Sequence, residues 1–214
     1  ESAREFSKSF RVLNINLPSH GGTLKWTEPD LTPAIEEITL SLSSSKVIGV
    51  GWSLGAQALI AYAAKNPNKV DALILVGATP SFVAKEDFPD GQSGALVKRM
   101  IQDMKKDPRE TLKRFYELNF TEEGLMSEAA KRFIERYRYP GPVERSPKDG
   151  RPPGCYPLFD YAGITMAITA LYKTDLRKDL SSIERPVLVL HGGSDNITPK
   201  EAGVRLASLL KNAE

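Results

Sequence analysis

Ser53 sits in Gly51-Trp52-Ser53-Leu54-Gly55, the stretch of this sequence whose residue types and spacing point most directly to bond-breaking chemistry. An apolar run precedes it and an Ala-rich helix former follows it, which is the context a nucleophile elbow requires. The turn is tight, and glycines two residues either side remove Cβ atoms that would collide with the crossing strand and helix. Such a turn lifts the serine hydroxyl above the carboxyl edge of a sheet. It also aims the Leu54 backbone N–H at the start of the helix, where the dipole favours a developing oxyanion. The chemistry it would serve is attack on an ester carbonyl, giving an acyl-enzyme that water later hydrolyses. The competing reading is a plain strand-to-helix turn whose serine caps the helix.

Several elements must hold this serine. Residues 46–50 read as a buried strand and residues 56–65 as the elbow helix. Before them, residues 1–10 read as a helix end and residues 11–17 alternate and are β-branched, so they read as a strand. A turn-rich loop, 18–23, and a helix from 29 to about 42 complete that part, and Ser43-Ser44-Ser45 forms a loop. After the elbow, residues 70–76 are nearly all apolar, as expected of a strand covered on both faces.

Composition then changes. From 83 to about 173 helical patterns dominate, at 95–105, 108–120, 127–137 and 162–172, with a Pro- and Gly-rich loop from 140 to 154. This segment reads as a helical cap over the sheet, inserted after the third visible strand. The α/β pattern resumes with a strand at 187–191, a Gly-rich loop, and a helix from about 199 to 210. The expected division is therefore 1–82 for the first part of an α/β core, 83–174 for the cap, and 175–214 for the rest of the core. The fold class is α/β, a mostly parallel sheet with helices on both faces.

The chain has 214 residues, enough for one such domain with an insertion; 41% are hydrophobic and 26% charged, an ordinary globular balance. A formal charge of +2 argues against a nucleic-acid binder. No apolar run approaches a membrane span. The single cysteine, Cys155, excludes an internal disulfide and fits a reducing, cytoplasmic setting; no signature surrounds it, and it reads as structural or incidental. No metal-ligand spacing and no phosphate cradle is present, so neither metal nor cofactor is expected.

In order, these features are Leu17-Pro18-Ser19-His20-Gly21, the Gly-Trp-Ser-Leu-Gly elbow, Asn66-Pro67 with the 70–76 strand, the helical segment, and a final strand running into His191-Gly192, Asp195 and Ile197-Thr198-Pro199. Together they resemble the α/β-hydrolase fold across almost the whole chain. Within that fold the sequence is most similar to the pimeloyl-ACP methyl ester esterases of biotin synthesis. The stretches that carry this are 51–55, Ala78-Thr79-Pro80-Ser81-Phe82 and Thr174-Asp175-Leu176-Arg177-Lys178-Asp179-Leu180. The elbow also occurs in other carboxylesterases and in C–C hydrolases.

The resemblance implies roles residue by residue. Ser53 is the nucleophile, Leu54 N–H an oxyanion donor, and Asp195 the triad acid; the alternative for Asp195 is a turn-stabilising carboxylate. Asp175 and Asp179 are weaker rivals, suited to helix ends and surface ion pairs. Trp52 and Phe82 line the substrate pocket, or else simply pack. Arg132 and Arg136, four apart on one helix, would dock an acidic acyl carrier protein, against the alternative of a solvated helix surface. The substrate would be a small ester or a carrier-bound methyl ester. The rival functions are a general short-chain carboxylesterase or C–C hydrolase, and a non-catalytic hydrolase-like binding module.

The general base is the difficulty. The sequence has two histidines, His20 and His191, and in the family these positions are structural. Family members draw the base from a loop after a further strand. They also have three strands before residues 11–17, the third of which lies between those residues and the elbow strand and supplies the second oxyanion N–H. Without it the sheet would be split at its middle. The resemblance thus implies that these 214 residues are part of a longer polypeptide, or that another chain fills the gap. It further implies that they are a poor or dead esterase when assayed alone.

Overall fold

The structure, a computed structural model, describes residues 2–20, 24–42, 46–138 and 160–214. A short helix α1 (Ser2–Phe6) leads to α2 (Thr32–Ser41), which begins with Pro33 in its first turn. Strand β1 (Val47–Trp52) turns directly into α3 (Leu54–Lys65), and β2 (Val70–Val76) follows. Then come α4 (Gly94–Lys106), α5 (Pro108–Glu117), α6 (Glu122–Leu125), α7 (Glu128–Arg138) and α8 (Tyr161–Lys173). The chain closes with β3 (Val187–Leu190) and α9 (Lys200–Leu209).

The strands form a parallel sheet in the order β1-β2-β3. Parallel strands need crossovers, and helices supply them. The register puts Trp52 beside Val76, and Val76 beside Leu190, so the carboxyl ends of the three strands are level. Alternate β1 residues divide between two environments. Gly49 and Gly51 are buried, whereas Ile48, Val50 and Trp52 are exposed.

One apolar cluster gathers Leu73 and Leu75 of β2, Ile60 and Tyr62 of α3, Ala34 and Ile38 of α2, and Leu206 of α9. Burial of such side chains supplies the main stabilisation, about 1.5–3 kcal/mol each. A second cluster packs Val97 and Met104 of α4, Leu112 of α5, and Ile164 and Ile168 of α8. Local signals explain the helix starts here. Asp107 accepts from Glu110 N at 3.1 Å ahead of Pro108, and Thr121 accepts from Gly124 N at 3.1 Å.

The helical segment leaves and rejoins the sheet at a tied neck. Ser81 bridges Asp175, and Leu176 N donates to Pro80 O at 2.8 Å. The Asp175 carboxylate binds Lys85 at 2.7 Å and Arg177 at 2.7 Å, and Arg177 reaches Asp87 at 2.8 Å. The hydrogen bond from Arg177, reinforced by Lys85, holds the Asp175 carboxyl far below the usual carboxylate range.

Two expectations are corrected. Residues 11–17 are not a strand, since no ladder among the described residues pairs with them. Alternation and β-branching favour an extended chain, but a strand exists only where a neighbour completes its hydrogen bonds. The helical segment therefore follows the second paired strand, not the third. The helix expected from residue 29 starts at Thr32, after Asp30 accepts from Thr32 N at 2.7 Å. The Ser43-Ser44-Ser45 loop, the 140–154 loop and Cys155 lie outside the described residues.

Candidate active site at the carboxyl edge of the sheet

Ser53 lies one residue past the end of β1 with φ 51° and ψ −117°. It is one of two described non-glycine residues with positive φ, the other being Ser19. A bulky residue there costs free energy that the surroundings must hold in place. They do so through the Ser53 backbone, whose N–H donates to Val76 O at 2.9 Å and whose carbonyl accepts from Ala56 and Gln57 at 2.9 and 3.1 Å. The Ser53 side chain makes no capping bond to α3, so the capping alternative fails. Leu54 opens the helix, where the first N–H groups have no intrahelical partner.

The two motif glycines differ. A Cβ on Gly51 would stand 2.7 Å from Ala56 Cα, inside the backbone of α3. A Cβ on Gly55 would meet nothing within 4 Å, so the expectation that crowding demands glycine there is corrected.

Gly77 ends β2 with φ +53°, and its N–H donates to Leu190 O at 2.9 Å. A Cβ on Gly77 would lie 3.4 Å from Asp195 Oδ2 and 3.5 Å from Trp52 Nε1. Ser53, Gly77 and the loop after Leu190 thus stand level on three adjacent strands. With strands about 4.8 Å apart, Ser53 and the start of the Asp195 loop are separated by about 10 Å, a span that would fit an imidazole between two side chains.

Asp195 uses its two oxygens differently. Oδ1 accepts from Ile197 N and Thr198 N, both at 2.8 Å. Oδ2 lies on the Gly77 side, 3.8 Å from His191 Nε2. The turn-stabilising role and an available second oxygen therefore coexist in one carboxylate. Asp175 is taken up by the neck ion cluster, and Asp179 is exposed beside the 3-10 turn Leu180–Ser182.

Both histidines are tied to backbone carbonyls. His191 Nε2–H donates to Thr198 O at 2.7 Å, its Nδ1 is buried without a partner, and a Cβ on Gly203 would run into the ring. His20 Nδ1–H donates to Pro18 O at 2.8 Å, and burial pushes the ring below its ordinary pKa.

Trp52 is 58% exposed on the β1 side described above. Phe82 is half-buried and packs against the second cluster. Arg132 is exposed on α7; Arg136 lies on the same helix, and its side chain is outside the described residues. Among the described residues no three His, Cys, Asp or Glu groups gather as metal ligands, and no helix is long and apolar enough to cross a membrane. A cavity of about 500 Å³ lined by Pro67, Asn68, Val70, Ser182 and Arg185 lies at the opposite, amino-terminal ends of β2 and β3.

Two contributors have little or no trace in the sequence. Gln57 is 1% exposed, and its Nε2 donates to Thr79 O at 3.0 Å, tying the elbow helix to the loop after β2. A lone amide four residues after Ser53 in an Ala-rich helix was the available hint. Gly77 looks like any loop glycine until its φ is known.

Level strand ends, a strained serine between β1 and α3, and a carboxylate beyond the last strand define an α/β hydrolase. The sequence matches the family described as the alpha/beta hydrolase fold over residues 1–214, and the chain belongs to that family. Among curated proteins it is similar to the pimeloyl-[acyl-carrier protein] methyl ester esterase of Nitrosomonas europaea, 32% identical over 92% of this chain and 71% of that protein. It is likewise similar to the enzyme of that name from Nitrosospira multiformis, 29% identical over 99% of this chain and 76% of that one. These relatives place the chain among the carboxylic ester hydrolases. Among solved structures, an esterase from Exiguobacterium antarcticum shares the fold with a TM-score of 0.78, at 24% identity over 99% of this chain and 74% of that chain. The enol-lactonase of Burkholderia xenovorans LB400 shares it with a TM-score of 0.76, at 18% identity over 99% and 73%.

Proposed function

We propose that the protein is a serine esterase in which Ser53 attacks the carbonyl carbon of a carboxylic ester. The alcohol leaves, the acyl group stays on Ser53 Oγ, and water hydrolyses that bond to release the acid. Leu54 N–H donates to the oxyanion, and Asp195 Oδ2 holds the imidazole that takes the serine proton. The resemblance treats His20 and His191 as structural, and each donates one ring N–H to a backbone carbonyl. Trp52 and Phe82 border the acyl group, and residues 83–174 form the cap over it. The observation that carries this reading is the strained, uncapped Ser53 held level with Asp195 across Gly77.

The preferred substrate is a methyl ester at the end of a pimeloyl chain on acyl carrier protein, since the similar proteins bear that name. Arg132 and Arg136 on α7 would meet the acidic carrier. The test, on the polypeptide that includes the base, is labelling of Ser53 by a fluorophosphonate, together with release of methanol from dimethyl pimelate and from the carrier-bound methyl ester. Labelling that persists in Ser53→Ala, or methanol release that survives it, refutes the reading. Preference for short p-nitrophenyl esters over both methyl esters would instead indicate a general carboxylesterase.

A further inference from the structure

Gln92 lies in the segment that enters the helical insertion, more than a hundred residues from Asp195 in sequence. Its Nε2 donates to Asn196 O at 2.9 Å and to Ile197 O at 2.8 Å. Two carbonyl oxygens can be met only by the NH₂ end of the amide, so both hydrogens of one nitrogen are engaged. Asp195 Oδ1 accepts from Ile197 N and Thr198 N. These four bonds involve only two peptide groups. The group joining residues 196 and 197 gives its oxygen to Gln92 and its N–H to Asp195. The group joining residues 197 and 198 does the same. Each group is planar and trans, so fixing its C=O direction fixes its N–H direction.

We infer that Gln92 is the positioning residue for Asp195, clasping from behind the two peptide groups whose N–H bonds orient the carboxylate. The inference rests on Asp195 being the triad acid. Gln92 is itself held rigidly. Its N–H donates to Phe82 O at 2.7 Å, and its carbonyl accepts from Ala84 N at 2.8 Å. Gly91 beside it packs so tightly on the Val83 and Ala84 backbone that no Cβ fits. Asp90 binds Arg205 of α9 at 3.2 Å, anchoring the same segment to the helix that follows the acid's loop. The strand of chain that carries Phe82 is therefore coupled to the direction of the Asp195 carboxylate. The bond accepted at its oxygen also polarises each peptide group and strengthens the N–H bond on its other side.

The test uses Gln92→Met, which keeps length and shape and removes both donors, with Gln92→Ser as a second variant at this half-exposed position. Amide exchange at Ile197 and Thr198 is expected to accelerate about tenfold, with exchange along β2 unchanged. In the polypeptide that includes the base, ester kcat is expected to fall about tenfold at unchanged KM, and the fall should vanish in an Asp195→Asn background, because both changes act through one carboxylate. Unchanged exchange at 197 and 198 overturns the inference, and so does a full further loss in the Asp195→Asn background. If Asp195→Asn itself leaves turnover intact, the reading of the acid has failed and takes the inference with it. If Asp195→Asn is crippled while Gln92→Met retains full kcat, the inference alone has failed.

Discussion

Gln57 donates from Nε2 to the carbonyl oxygen of Thr79 at 3.0 Å, joining the helix that starts at the elbow to the loop that carries Phe82. The Gln57 Oε1 is buried with no partner, so the side chain is kept in place by that donor alone. Gln57→Leu removes the donor and strands the Thr79 carbonyl, at a cost of about 1–2 kcal/mol in a urea titration. Gln57→Glu should cost more, since a buried carboxylate would face a carbonyl oxygen.

Gly51 and Gly55 should respond in opposite directions to the same change. Gly51→Ala drives a methyl group into α3 and should destabilise by about 2 kcal/mol or more. Gly55→Ala enters open space in the first turn of a helix and should be neutral or stabilising by about 0.5 kcal/mol. Thermal unfolding of the two variants measures this contrast.

Ser53 carries backbone strain that glycine would not. Ser53→Gly should raise stability by about 1 kcal/mol and, in the polypeptide that includes the base, lower ester turnover by about 10⁴-fold or more. Ser53→Ala should lose the same activity without the gain in stability. Melting curves and turnover, measured on both variants, test the pair.

Acid should destabilise the protein in two separate steps. Burial holds the His20 pKa below its ordinary 6.5, so the unfolded chain binds a proton that the folded chain refuses. Stability from His20 is complete above that value and declines as the pH falls below it. The Asp175 carboxyl is held down by Arg177, so its contribution persists above its ordinary 3.8 and declines only below it. Melting temperature against pH should show one fall setting in below about 6.5 and another below about 4. His20→Gln should remove the first, and Lys85→Met should weaken the second.

Charge reversal at Arg132 and Arg136 tests carrier docking. The double Glu variant should lower kcat/KM for the carrier-bound ester about tenfold at low salt and leave a small ester unaffected. Raised salt should shrink the difference, because exposed charges are screened.

Local chemistry made much of the fold legible. The apolar run at 70–76 is β2 to the residue, and the Ala-rich stretch after Ser53 is α3. Residues 11–17 misled because alternation reports extended preference, and only a neighbouring strand turns that preference into a ladder. The turn at Ser53 and the loop at Asp195 were readable because each follows an apolar strand. Gln92 carried no signal at all. Its role depends on two carbonyls more than a hundred positions away, a proximity that no local pattern encodes.

The ion cluster of Lys85, Asp87, Asp175 and Arg177 closes the point where the helical segment departs and returns. Everything beyond that knot is topologically a detour, because the strands on either side already meet their partners without it. Such a junction gives evolution a place to lengthen, shorten or replace the detour while Ser53 and Asp195 keep their spacing. Substrate preference can then diversify on an unchanged chemical engine.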